Sequence, residues 1–126
     1  MKAAYVDTSC LVAVAFAEPG SARLASRLQT YDVVLASGLV EAELKAALVR
    51  EGLSGSTADF LPRLDWVYPD RPLGPEIDRV LAAGHAKGAD TWHLACALFI
   101  APDGAELRFE TLDIRQRAIA TKLGFR

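Results

Sequence analysis

The sequence predicts an α/β fold with three layers, α/β/α, around a central, mostly parallel sheet of four or five strands. Short segments that are apolar throughout alternate along the chain with longer segments of helical periodicity. Strands without polar–apolar alternation are typical of parallel sheets that helices cover on both faces. With 126 residues, of which 52% are hydrophobic, the chain is expected to form a single domain over residues 1–126 with a packed core.

The individual elements follow from the apolar runs and from the residues that interrupt them. Residues 18–21, Glu-Pro-Gly-Ser, separate two helices, Gly52 is a conventional helix stop, and Pro75 occupies a position that a first helical turn tolerates. The strands are predicted at residues 2–6, 32–37, 65–69 and 106–113. The helices are predicted at residues 10–17, 22–28, 38–52, 57–64, 76–88, 89–101 and 114–124.

The charge and cysteine patterns argue against a secreted, membrane or zinc-binding protein. Lys2 and the apolar run 10–17 resemble a secretory signal, but Asp7 cancels the charge of Lys2 and interrupts the approach to the run. The longest apolar runs are shorter than the ~18–20 residues that span a membrane. Cys10 and Cys96 form no CxxC pair and lack zinc-ligand spacing, so reduced thiols in a cytoplasmic protein are expected.

Three aspartates occupy equivalent places in the predicted fold. Asp7 ends the first strand, inside the apolar segment AAYVDTSCLVAVAFA, Asp113 ends the strand that contains RFETL, and Asp90 begins the buried helix DTWHLACALFI. Functional groups of open parallel sheets collect at the carboxyl ends of the strands, beside the helices that follow. Each aspartate alone is also a good helix N-cap, and Asp113 with Gln116 resembles a capping box. Capping does not explain why all three residues are aspartates, and a shared site does.

The roles of three other polar residues are left open by the helical pattern. Glu41 and Glu43 flank opposite edges of the apolar stripe of the helix at 38–52, and periodicity does not choose between them. His93 lies three residues after Asp90 on one helical face. We expect it to pack in the core or to support the site, rather than to bind a metal itself.

Four segments of the sequence resemble the signature segments of one family, the PIN domains. They are YVDTSCLVAV, LASGLVEAELKAAL, ADTWHLACAL and ETLDIRQRAIATKLGF, and they occur in the family's order over essentially the whole chain. Within the family, the sequence is most similar to the VapC-type toxin ribonucleases of type II toxin–antitoxin pairs. The resemblance implies a PIN-like fold. Many relatives continue into a last strand beyond the segment that matches KLGF, so a shortened fifth strand is expected here.

The resemblance also implies which residues form the site. The family has an acid directly before a leucine in its long helix, and this acid corresponds to Glu43, which leaves Glu41 as a flanking residue. The implied acidic quartet, both catalytic and metal-binding, is Asp7, Glu43, Asp90 and Asp113. Ser9 and Thr111 match small hydroxyl positions near the family's site, where they would orient water, with plain capping as the alternative.

The activity implied by the resemblance is that of a Mg²⁺- or Mn²⁺-dependent endoribonuclease, the toxin of a toxin–antitoxin pair that inhibits translation or growth. Divalent metals activate water and offset charge in phosphodiester hydrolysis, and Mg²⁺ binds through a few carboxylates. Crowded carboxylates repel one another until a cation binds. Such toxins usually form homodimers and bind a small antitoxin, so the implied partners are RNA, a cognate antitoxin protein and a second copy of the chain.

The charge of the chain agrees with an RNA substrate once the four site acids are set aside. The formal net charge is −2, from 14 basic and 16 acidic residues; without the four acids, 14 bases remain against 12 acids, a net charge of about +2. Ten of the bases are arginines, which suit bidentate phosphate contacts, and Arg115, near Asp113, is the first candidate for an RNA contact.

Two other functions are the alternatives to a nuclease. A catalytically silent PIN-like module would bind RNA or protein without cleaving it, but such a module has no need of the four acids. A phospho-acceptor receiver domain also carries an acidic pocket. It usually needs adjacent acids after its first strand, and here Thr8 and Ser9 follow Asp7.

Overall fold

The computed structural model describes residues 1–53 and 63–126, and a four-stranded parallel sheet lies at its centre. The strands are β1 (Ala3–Val6), β2 (Val33–Ser37), β3 (Asp65–Val67) and β4 (Arg108–Glu110). Their order across the sheet is β3-β2-β1-β4, and all three pairings are parallel. The helix predicted at 57–64 falls mostly on residues outside the described ranges.

Helices cover both faces of the sheet, which confirms the three-layer α/β/α prediction. The helices are α1 (Thr8–Ala15), α2 (Ser21–Leu28), α3 (Gly38–Arg50), α4 (Gly74–Ala83), α5 (Gly88–Ile100) and α6 (Ile114–Lys122). Adjacent residues of β1 pack on opposite faces of the sheet: Val6 packs with α1, α2 and α3, and Tyr5 packs with α4, α5 and α6. Leu35 and Phe109 pair in register with Tyr5 and belong to the same side. Strands buried on both faces explain why the sequence shows no polar–apolar alternation.

The structure differs from the predicted boundaries around α4 and β4. The helix predicted at 76–88 ends at Ala83, and a non-helical segment separates it from α5, which begins at Gly88. The backbone adopts an extended conformation at Gly84. Gly84 lies so close to α6 that a Cβ added there would be 2.8 Å from Cγ1 of Ile119. Only Arg108–Glu110 of the strand predicted at 106–113 forms ladder bonds.

The outer edge of β4 is covered only in part by the end of the chain. Within the described residues the sheet has four strands, and the expected fifth strand is reduced to one hydrogen bond, from Phe109 N to the carbonyl oxygen of Arg126 at 2.7 Å. Among the helices formed by residues 1–53 and 63–126, none is long and apolar enough to cross a membrane.

The order of the strands creates a crevice at the carboxyl end of β1. From β1 the chain moves to β2 and then β3 on one side, and it returns to place β4 on the other side of β1. Open α/β sheets bind ligands at such a reversal of strand order, outside the carboxyl ends of the strands. In this chain the reversal lies between β1 and β4, directly beside Asp7 and Thr111.

A candidate acidic site between β1 and β4

Asp7 is the most deeply buried of the four predicted acids. It follows β1 directly, and the residue is only 3% exposed. Its backbone N–H donates to the carbonyl oxygen of Glu110 at 3.1 Å. Both carboxylate oxygens accept hydrogen bonds: Ser9 Oγ donates to Oδ1 and Thr111 Oγ1 donates to Oδ2, each at 2.6 Å. The N–H of Cys10 donates to Oδ1 at 3.4 Å, so Asp7 also caps α1, as predicted. These donors hold a buried charge in a fixed orientation.

Ser9 and Thr111 therefore lie where the sequence places them, next to an aspartate. Thr111 has a single hydroxyl hydrogen and two acceptors within reach, Oδ2 of Asp7 at 2.6 Å and Oε1 of Gln116 at 2.9 Å. The carboxylate is both the nearer and the charged acceptor, so it takes the hydrogen. Ser9 in turn accepts the N–H of Leu112 at 3.1 Å. The two hydroxyls thus join the loop after β1 to the loop after β4.

Asp113 is exposed at the opening of the site and caps α6. Its Oδ1 accepts the N–H of Gln116 at 2.7 Å, which is the first half of a capping box. The second half is missing, because the N–H of Asp113 donates to Thr111 Oγ1 and not to the side-chain oxygen of Gln116. The buried side chain of Gln116 is free to donate from Nε2 to the backbone oxygen of Asp90 at 3.3 Å.

Asp90 is the one predicted helix cap that the structure contradicts. The N-cap position of α5 belongs to Lys87, and Asp90 lies within the first helical turn. Among residues 1–53 and 63–126, no side chain or backbone group forms a hydrogen bond with its carboxylate. Burial raises the pKa of Asp90 most, and the negative charges of Asp113 and Asp7 raise it further. His93 lowers the pKa, and Glu43 has the smallest effect, a further rise. The pKa of Asp90 thus responds to all three other acids of the predicted quartet.

The structure separates the two glutamates of α3 that periodicity could not. Glu41 forms a surface ion pair with Lys45, at 3.2 Å. Glu43 turns toward the crevice, where its Oε1 accepts a hydrogen bond from Thr8 Oγ1 at 2.7 Å and lies 3.0 Å from Nε2 of His93. Glu43 is thereby tied to α1 and α5 at once.

Three residues in these contacts were not among the predicted site residues. Thr8 lies between Asp7 and Ser9 in the sequence, and that position alone could have indicated a third hydroxyl at the strand end. The sequence indicates Gln116 only as part of a capping box. His93 is 2% exposed, which agrees with the expected packed or supporting role. His93 and Glu43 are 50 positions apart in the sequence, and no local sequence pattern predicts their contact.

The oxygen donors of the site suit a divalent ion. Carboxylate and hydroxyl oxygens are the ligands that Mg²⁺ prefers, and the mutual repulsion felt at Asp90 is relieved by a cation. Across the described parts of the chain, no three histidine, cysteine, aspartate or glutamate side chains stand together as a ready-made metal-binding group. Mg²⁺ keeps several waters and is often held directly by only one or two carboxylates. The donor set therefore fits Mg²⁺ or Mn²⁺ with some acids acting through water.

Fold and site together define a class of parallel α/β domain that carries buried and exposed acids beside the reversal of its strand order. A sequence model of the PIN domain family matches residues 4–122, nearly the whole chain, and the protein belongs to this family. PIN domains are generally nucleases that bind RNA and use divalent metal ions. Comparison with curated protein sequences finds no match to the chain.

Proposed function

We propose that this PIN domain is a Mg²⁺- or Mn²⁺-dependent endoribonuclease, with Asp7, Glu43, Asp90 and Asp113 as its catalytic and metal-binding acids. The observation that supports the proposal best is that Thr111 Oγ1 donates to Oδ2 of Asp7 and accepts the N–H of Asp113, so that two of the acids meet at one edge of the sheet. Burial and the charges of Asp113, Asp7 and Glu43 raise the pKa of Asp90 beside them. The negative charges around Asp90 oppose its ionisation, and they therefore lower the stability of the metal-free protein at neutral pH. A cation removes this cost, and a protein without a cation to bind has no use for such an arrangement.

Each acid is held differently, and the differences suggest different tasks. Asp7 is buried and held at both oxygens, so it offers a rigid anchor point. Asp90 has an open carboxylate without a protein partner in the described residues, which makes it the readiest direct ligand. Glu43 is anchored through Oε1, and Asp113 is exposed; these two are suited to hold and orient water or to complete a second ion site. When bound, the divalent ion supplies an activated water and offsets the charge of the phosphate.

RNA is the proposed substrate, and its phosphates match the cationic remainder of the chain. Outside the four acids the chain carries a net charge of about +2, and ten of its bases are arginines. Arg115 is exposed in the first turn of α6, two residues from Asp113, and it forms no hydrogen bond or ion pair with the described residues. A free guanidinium beside the acids is suited to bind one phosphate of the substrate.

We further propose that the chain acts in the cytoplasm as the toxin of a toxin–antitoxin pair, as a homodimer that a cognate antitoxin protein keeps inactive. This part rests on the resemblance of the four signature segments to VapC-type toxins. Cleavage of an RNA needed for translation would then inhibit growth when the antitoxin is lost.

Incubation of the purified chain with a mixed cellular RNA pool tests the nuclease directly. Parallel reactions contain Mg²⁺, Mn²⁺ or EDTA, and the variants are Asp7→Asn, Asp90→Asn and Glu43→Gln. Glu41→Gln is the matched control, because Glu41 lies on the same helix but pairs with Lys45 on the surface. We expect discrete fragments that require metal, persist in Glu41→Gln, and fall by at least 100-fold in the other three variants.

Two results would contradict the proposal. Cleavage that survives EDTA, or that Glu41→Gln abolishes as fully as Glu43→Gln, would separate the activity from the four acids. Intact RNA together with no detectable binding of Mn²⁺ by calorimetry would leave Asp7 and Asp113 as helix caps only.

A further inference from the structure

A line of buried polar side chains runs from the middle of the sheet to Glu43. Tyr5, on β1, is fully buried, and its hydroxyl oxygen lies 3.1 Å from Nδ1 of His93. His93, on α5, is 2% exposed, and its Nε2 lies 3.0 Å from Oε1 of Glu43. Buried polar groups are unfavourable unless they bond to one another, and a core of this kind could be filled with aliphatic side chains. The presence of a histidine here therefore calls for an explanation beyond packing.

The hydroxyl of Tyr5 is the nearest polar partner of Nδ1 of His93. The Tyr5 ring stacks on Phe109, with centroids 5.5 Å apart and planes 7° from parallel, so the position of its hydroxyl is fixed. Burial raises the pKa of Tyr5, and the group stays an O–H donor. A phenol hydroxyl can donate or accept, and with the ring hydrogen on Nε2 the hydroxyl of Tyr5 donates to Nδ1. The hydroxyl of Ser37, 3.4 Å from Nδ1, is a second possible donor to the same nitrogen.

The opposite assignment is unfavourable on the Glu43 side. With the hydrogen on Nδ1, the lone pair of Nε2 would face a carboxylate oxygen at 3.0 Å, and two acceptors would oppose each other. With the hydrogen on Nε2, the ring donates to Oε1 of Glu43. Thr8 donates to the same oxygen at 2.7 Å. Both donors thus hold Oε1, while no group in residues 1–53 or 63–126 forms a hydrogen bond with Oε2.

We propose that His93 is a positioning residue, which donates from Nε2 to Oε1 of Glu43 and so leaves Oε2 free for the acidic cluster. Tyr5 donates to Nδ1 of His93, and His93 donates in turn to Glu43. The side chain of Glu43 is still 36% exposed, so without these donors it could turn into solvent. The positioning itself is a property of the metal-free chain, and its effect on cleavage rests on the proposed function.

The first test is nuclear magnetic resonance of the metal-free protein with ¹⁵N-labelled histidine at pH 8. The chain has two histidines, and the exposed His85 serves as the internal reference. We expect His93 to show a protonated Nε2 and an acceptor-type Nδ1, and the signal to be identified by its loss in His93→Gln. A hydrogen on Nδ1, or a doubly protonated ring, would overturn the proposal.

The second test compares two substitutions of similar bulk in the RNA cleavage assay. His93→Gln places an amide donor near the position of Nε2, whereas His93→Leu fills the space without a donor. Loss of a group that orients a site residue typically reduces function 10- to 100-fold. We expect His93→Leu to lower kcat by that factor with KM changed less than threefold, and His93→Gln and His85→Gln to stay within fivefold of wild type.

The two tests separate the failure of this inference from the failure of the proposed nuclease. A wild-type chain that cleaves no RNA contradicts the nuclease, while the histidine spectrum still decides the positioning. Equal kcat values for folded His93→Leu and wild type, with folding checked by thermal unfolding, would overturn the positioning even if the nuclease stands.

Discussion

Replacement of Thr111 by valine tests whether the loop after β4 holds Asp7 in place. Valine keeps nearly the same shape as threonine but has no hydroxyl. The substitution removes the 2.6 Å donation to Oδ2 of Asp7 and the acceptor that the N–H of Asp113 uses. Because Asp113 is exposed, water can replace the second contact. Asp7 is only 3% exposed, and water cannot easily replace the first.

The expected loss of stability follows from the charge and burial of Asp7. A hydrogen bond to a charged group contributes about 1.5–3 kcal/mol, and a buried acceptor that loses it is left unsatisfied. The entropy of unfolding is roughly 2.1 cal/mol/K per residue, which gives about 265 cal/mol/K for this chain of 126 residues. The melting temperature in EDTA should therefore fall by about 6–11 °C. Thr111→Ser, which keeps the hydroxyl, should recover most of this loss.

A double-mutant cycle with Asp7→Asn shows whether the effect belongs to the Asp7–Thr111 contact. A neutral acceptor makes a weaker bond than a carboxylate, so the valine substitution should cost about 1 kcal/mol less in the Asp7→Asn background. Urea unfolding in EDTA measures all four free energies. A cost that is equal in both backgrounds, within about 0.4 kcal/mol, would refute the reasoning.

Two further predictions concern the stability of the fold outside the four acids. Burial alone would raise the pKa of Glu110, but hydrogen bonds from Arg27 and Tyr31 lower it below its ordinary value. Arg27→Met should therefore lower the free energy of unfolding by about 1–2 kcal/mol at pH 7. Unfolding measured at decreasing pH should show this difference from wild type shrink as the pH falls through the lowered pKa of Glu110. Gly104 and Gly52 have nearly equal φ values, +73° and +72°, but only at Gly104 would a Cβ meet backbone, 2.7 Å away. Gly52→Ala should lower the free energy of unfolding by about 1–2 kcal/mol, because alanine disfavours a positive φ. Gly104→Ala should lower it clearly more, as measured by urea unfolding, because its Cβ also meets backbone. Equal losses in the two variants would contradict this.

The parts of the structure that the sequence predicts well are those with local causes. β1 is recognisable because all its residues are apolar and three of the four are buried, and Asp7 stands out because it interrupts an apolar run. The positions of Asp7 and Asp113 at the ends of β1 and β4 follow from strand–helix alternation alone. The parallel sheet then brings both strand ends to one edge. The fold class and three-layer arrangement could be predicted for the same reason.

The parts that the sequence predicts poorly depend on contacts between distant residues. Periodicity places Glu41 and Glu43 symmetrically, and the contacts of Glu43 with Thr8 on α1 and with His93 on α5 show which of the two enters the crevice. The helix predicted through residue 88 ends at Ala83 because Gly84 lies against Ile119, 35 positions away in the sequence. The Tyr5–His93 hydrogen bond spans 88 positions. Such contacts leave no periodic signal along the chain.

Thermal unfolding of Asp90→Asn, in EDTA and in Mn²⁺, tests most directly whether the acids form one cation-binding cluster. A raised pKa means that the ionised form of Asp90 is disfavoured in the folded protein, so this residue lowers stability as the pH rises through its pKa. Asparagine removes that charge. Asp78→Asn, an exposed aspartate on α4, is the matched control.

We expect Asp90→Asn to melt at a higher temperature than wild type in EDTA at pH 7, and the control to melt at the same temperature as wild type. We also expect Mn²⁺ to raise the melting temperature of wild type more than that of Asp90→Asn, because a ligand that binds the folded protein more tightly stabilises it more. An Asp90→Asn variant that melts lower than wild type in EDTA, with equal effects of Mn²⁺ on both proteins, would contradict a shared acidic site.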